Sequence, residues 1–197
     1  MKALGHAVRF TMLAGLWSCL LAGSLTSAAA QQLDPHAFEV LGGELVLRDG
    51  VYLLNADIDF QLSTAAREAL ESGVPLTFEL DIELVRPRPL WFDEKIATLT
   101  QRYRVRYHAL SRRYVLTNLN TGEHRSFTRR ASALTELGTV RALPIIDRSL
   151  LNQDQQYELW LRAGLDVDNL PPPLKTAAYL SPQWRLLSEW HRWRFEA

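Results

Sequence analysis

Between Pro75 and Val85 the chain reads PLTFELDIELV, and the alternation in it is strict. Leu76, Phe78, Leu80, Ile82 and Leu84 share one parity, while Thr77, Glu79, Asp81 and Glu83 share the other. A helix would scatter both kinds around its circumference; a strand separates them onto opposite faces. A strand with one apolar and one acidic face belongs to an antiparallel sheet that is wet on one side and covered on the other. Such a chain must supply further strands and a second layer.

Further strand patterns follow along the chain. FEVLGGELVL and VYLLNADIDF flank Asp49-Gly50, a dipeptide suited to a two-residue hairpin turn. The longest pattern runs from about Trp91 to Ala109. It places Arg102, Arg104, Arg106 and His108 on one face and Tyr103, Val105, Tyr107 and Ala109 on the other. Turns are expected near Leu110–Arg112 and at Asn120–Gly122, and LPII and QYELWLRAGLDV read as further strands before WRLLSEWHRWRF closes the chain. STAAREALESG predicts a short helix capped by Ser63 and closed by Gly73, and TRRASALTELG a second ending at Gly138. LPPPL reads as an extended linker. The expected fold is mainly β: an antiparallel β-sandwich or open barrel with two or three short helices, one domain over residues 38–197. Helices and proline-marked links embedded among the strands fit poorly with a lipid-facing barrel.

The first thirty residues have another character. Lys2, His6 and Arg9 precede the apolar run FTMLAGLWSCLLAGSL, and Ala28-Ala29-Ala30 follows. This is the pattern of a secretory signal peptide, with a run shorter than the ~20 residues that cross a bilayer comfortably. Residues 1–30 are expected to be removed, leaving a short leader at 31–37 and an exported, periplasmic or secreted protein with no integral membrane span. A lipoprotein reading through Cys19 is opposed by the bulky Trp17 and by apolar residues continuing after the cysteine. Cys19 is the only cysteine, so the mature chain would carry no disulfide, thiol nucleophile or cysteine metal site.

Loss of Lys2 and Arg9 leaves 20 basic residues against 22 acidic ones, a balance that argues against a nucleic-acid partner. The distribution is uneven. Residues 31–85 hold eleven acids against Arg48 and Arg67, whereas 86–130 hold eleven bases against Asp93, Glu94 and Glu123. If the two strongest strand patterns pair, Arg102, Arg104 and Arg106 face Glu79, Asp81 and Glu83 as structural ion-pair rows. Asn55, Asp57 and Asp59 offer a second polar row. Each exposed pair contributes about 0.2–1 kcal/mol, so such rows set register more than stability. Arg112 and Arg113 lie beyond that acidic row and form the expected place for an anion.

Catalytic signatures are sparse. His36, His108, His124 and His191 include no two at metal-ligating local spacing, and no phosphate-binding or dinucleotide-binding glycine pattern or G-x-S-x-G elbow occurs. No metal or cofactor is therefore expected. DVDN at 166–169 has the first spacing of a calcium loop but lacks its glycine and distal glutamate, and reads as a turn. Asp93 and Glu94 are the best acid pair, yet neighbours in a strand point to opposite faces and cannot serve together as a glycosidase pair. Of the mature tryptophans, Trp160, Trp184, Trp190 and Trp193 crowd the last 38 residues. Trp190 and Trp193 would face opposite ways in a strand, so core packing is expected for at least two of the four.

The stretch LTFELDIELVRPRPLWFDEKIATLTQRYRVRYHALSRRYVLTN, with the preceding ALESGVPL and the closing SPQWRLLSEWHRW, resembles a proteobacterial exported family known as domain of unknown function 4390. The most specific part is the segment around Trp91, Asp93 and Glu94, followed by YHALSRRY. Members typically carry a bulkier aromatic pair where this chain has Trp91-Phe92. The resemblance implies genes placed near a nitrogen-regulation-type sensor kinase, and so a link to envelope signalling; it brings no activity and no catalytic residue. The expected function is a non-enzymatic periplasmic β-domain that binds a protein or envelope component, with Trp91, Asp93, Glu94, His108, Arg112 and Arg113 as binding candidates. The alternative is an envelope hydrolase using a carboxylate pair.

Overall fold

The computed structural model describes residues 38–89 and 92–196; the expected signal peptide, the 31–37 leader and Trp91 lie outside them. Strands β1 (Glu39–Arg48) and β2 (Val51–Asp59) form the hairpin, with Asp49 and Gly50 both at positive φ (50° and 79°) as its tight turn requires. Helix α1 (Thr64–Glu71) follows, its first turn capped by the Ser63 hydroxyl, which accepts from the Ala66 N–H at 3.1 Å. Then come β3 (Leu76–Arg86), β4 (Glu94–His108), β5 (Arg113–Asn118) and β6 (His124–Phe127). Helix α2 (Arg130–Leu137), β7 (Thr139–Asp147), β8 (Gln156–Leu165), α3 (Pro172–Leu180) and β9 (His191–Glu196) complete the order.

The strands build two antiparallel sheets, β1-β2-β7 and β6-β5-β4-β3-β8-β9. Among the described residues both keep free edges and no barrel closes, so the architecture is the sandwich form of the expected fold. Burial explains the arrangement. Leu76, Phe78, Leu80, Ile82 and Leu84 of β3 are 0–1% exposed, as the alternation requires of a central strand's covered face. Phe78 meets Phe60 at 5.4 Å and Phe38 at 5.8 Å between ring centres, and Tyr52 of β2 meets Phe195 of β9 at 5.0 Å. Helices α1 and α2 add Ala66, Leu70, Ala133 and Leu137 to the same core, where Val105 and Leu116 are buried. At Gly43 of β1 a Cβ would come within 2.9 Å of the Trp193 ring and 2.5 Å of the Asn55 carbonyl oxygen, so the sheets approach closely only because glycine stands there.

Two local readings change. LPPPL is not an extended linker throughout: Leu170 and Pro171 are extended, and α3 starts at Pro172. Proline fits a first helical turn because its missing N–H would have had no partner there. The LPII strand is longer than its apolar core, running from Thr139, and is kinked at Ala142 (φ 49°), whose N–H is bound by the Asn55 side chain at 2.9 Å. Pro144 sits in this strand without penalty because β7 is an edge.

Candidate functional site

The outer face of the six-stranded sheet gathers most of the residues singled out in the sequence. Strand β4 pairs antiparallel with β3, but the register offsets the arginines from the acids. Glu79 stands opposite Arg102, Asp81 opposite Thr100 and Glu83 opposite Thr98. Arg104 stands opposite Thr77, and Arg106 lies past Leu76, the first residue of β3. Of the expected arginine–acid pairs across this ladder, the structure forms Arg102–Glu79, Nε to Oε1 at 2.5 Å. The other acids find cations elsewhere. Asp81 accepts from Arg162 of β8 at 2.9 Å and from Thr100 at 3.3 Å, and Glu83 pairs with Lys95 at 2.7 Å. Asn55, Asp57 and Asp59 cannot serve as a second row, because β2 belongs to the other sheet, where Arg141 binds Asp57 at 2.6 Å.

The pairing continues onto β8 and β9. Glu158 accepts from Arg194 at 2.8 Å and from the Trp160 indole N–H at 3.0 Å. Arg194 is the main reason its carboxyl lies below its ordinary value. Arg192 lies 4.0 Å from the ring centre of Trp160, and Arg162 lies 4.4 Å from that of Trp190. The two indoles are 6.1 Å apart. These are cation–π contacts that cover ring faces a sugar would otherwise use. Trp184 is buried, and Trp193 faces inward opposite Leu159, so the four late tryptophans divide between core and outer ladder.

The β4–β5–β6 end of the same face differs. Its outward residues are Arg104, Arg106 and His108 of β4, Arg113, Val115 and Thr117 of β5, and His124 and Ser126 of β6. None is a carboxylate. Arg104 and Arg106 are exposed and make no ion pair among the described residues. Arg113 donates to the Ser126 hydroxyl and carbonyl, both at 3.0 Å, which fixes its guanidinium without neutralising it. Arg112 occupies the connecting turn at φ 52°. The structure thus brings His108, Arg112 and Arg113 together with Arg104 and Arg106, two arginines the sequence pattern placed among the paired rows.

Asp93 and Glu94 lie at the far end of β4. Glu94 is held by both Arg86 and Arg88, and Asp93 accepts from the Arg88 backbone N–H at 3.3 Å. The hydrogen bond from Arg86 is the leading cause that lowers the Glu94 carboxyl below its usual range. A general acid needs the opposite shift. This pair tethers the connection between β3 and β4, and with His108 at the other end of β4 the binding candidates do not form one cluster. Asp166 likewise caps a single helical turn, accepting from the Asp168 N–H at 2.9 Å, as a DVDN turn should.

No curated protein and no solved structure matches the chain. The family described as Domain of unknown function (DUF4390) matches residues 37–194, which takes in β1 to β8, α1 to α3 and most of β9. By that match the chain belongs to the family Domain of unknown function (DUF4390).

Proposed function

We infer that the protein is an exported, non-enzymatic binding domain whose ligand is an anionic component of the cell envelope, held on the outer face of β4, β5 and β6. One observation carries this reading: Arg104, Arg106 and Arg113 lie on the β4–β5–β6 part of the outer face, where no outward residue is a carboxylate, while Glu79, Asp81 and Glu83 of the neighbouring β3 are already engaged. Unpaired guanidinium groups are strong, bidentate donors to phosphate and carboxylate. Because the mature chain is nearly neutral, attraction would come from this patch and not from overall charge. The hydrolase reading is not favoured, since the best acid, Glu94, is held ionised by two arginines.

The test is retention of the exported protein on phosphocellulose under a salt gradient. The wild-type protein should elute at higher salt than an Arg104→Gln/Arg106→Gln double variant that melts at the same temperature. Equal elution of the two, or no retention of either, would remove this reading. Export itself is checked by sequencing the N-terminus of the secreted chain, which should begin at Gln31.

A further inference from the structure

We propose that the anionic component is the surface of a bilayer containing acidic lipids, and that the β4–β5 hairpin docks on it with Leu110 entering the headgroup layer. The proposal rests on the reading above and names its ligand. Pairing with β3 ends at Val105, opposite Leu76, so Arg106, Tyr107 and His108 pair only with β5. The hairpin therefore overhangs the sheet. Tyr107 and Tyr114, directly opposite one another and 4.8 Å apart between ring centres, stiffen its inner side. At its tip Leu110 is fully exposed (105%), and Arg112 follows two residues later.

A lone exposed leucine is ordinary on a protein surface. Its setting here is not. Arg104, Arg106 and His108 climb the outer face toward it over about 13 Å, from a rise near 3.3 Å per residue, and Arg112 and Arg113 stand beside it. Acids placed near the hairpin's inner side are already taken: Glu71 by Arg130 and Glu136 by Arg125. An apolar tip that protrudes and is backed by free cations matches a fluid anionic interface, where the leucine enters the acyl boundary and arginines meet phosphates. A folded acidic partner would call for a recess or a fixed pattern of complementary pockets, and a soluble polyanion would make no use of Leu110. No helix among the described residues is long and apolar enough to cross a membrane, and the proposed contact needs none.

The experiment is co-sedimentation of the exported protein with vesicles of phosphatidylcholine, with and without phosphatidylglycerol, beside the phosphocellulose column. Binding should require phosphatidylglycerol and weaken with salt. Leu110→Ser should lose about tenfold or more in vesicle affinity, as expected for one buried leucine, while keeping its phosphocellulose elution. Arg106→Gln should lose about fivefold on vesicles, the share of one cation near an anionic surface, and should also elute earlier. Leu110→Cys, labelled with an environment-sensitive dye, should shift to the blue on acidic vesicles only; Cys19, the sole native cysteine, lies in the expected signal peptide. The lipid proposal is overturned if phosphatidylglycerol adds nothing, or if Leu110→Ser binds vesicles undiminished. Retention on phosphocellulose without vesicle binding would leave the anion reading standing with an acidic polymer or protein as ligand; loss of both would end both.

Discussion

On β3 and β8 the outward carboxylates Glu79, Asp81, Glu83 and Glu158 each have a cation in contact, and the arginines beside them are bonded to acids or stacked on indoles. On β4, β5 and β6 the same face carries Arg104, Arg106 and Arg113 with no acid among the outward residues. Both halves rest on one inner core and one continuous sheet, so they differ in what the surface has been left to do. Closely matched charges on one half fix register and leave little for a ligand. Bare like charges on the other contribute nothing evident to folding and are suited to a partner that comes from outside.

The two halves share one core and should fold as a unit. Phe78→Ala tests that with the largest effect: removing a side chain that is 0% exposed should cost about 3–5 kcal/mol and lower a single melting transition. Two separate transitions would break the comparison at its base. Within the paired half, Asp81→Asn should cost about 1–2 kcal/mol, because Arg162 loses its acid while its Nε already lies buried without a hydrogen-bond partner. Chemical denaturation of the two proteins side by side measures it.

Acid should act on the same half. Glu158 has its carboxyl lowered from 4.5, chiefly by Arg194, so the folded state binds the proton less readily than the unfolded state. Its stabilisation is fully present above 4.5 and is lost as pH falls through the lower folded value. The melting-temperature gap between wild type and Glu158→Gln should therefore narrow below pH 4.5 and stay constant above it. A gap that widens in acid would contradict the pairing. Arg102→Gln is smaller again: the pair with Glu79 is half exposed, and its loss should cost about 0.2–1 kcal/mol in the same melts.

Much of the frame was legible because local chemistry decides it. Asp49-Gly50, the Ser63 cap, Gly73 and the alternation of β3 each state a backbone conformation that neighbouring residues cannot easily override. The offset between Arg104 and the acids was not legible. It depends on where β4 re-enters after the 87–93 connection and on an irregularity between Leu84 and Val85, which no alternation within either strand records. Nor do strand patterns show that Asp81 finds Arg162, eighty-one positions away, since that requires knowing β8 lies beside β3. The charge asymmetry between residues 31–85 and 86–130 suggested rows of acids and arginines that pair across β3 and β4; the register forms Arg102–Glu79 and leaves Arg104 and Arg106 beyond the acids.

The claim that Arg104 and Arg106 serve a ligand and not the fold meets its most direct test in the thermal unfolding of Arg104→Gln/Arg106→Gln. The double variant should have a stability within about 0.5 kcal/mol of wild type, or slightly above it as like-charge repulsion is relieved. A loss above about 1.5 kcal/mol, beyond what exposed unpaired side chains contribute, would show these arginines to be part of the structure and contradict the account.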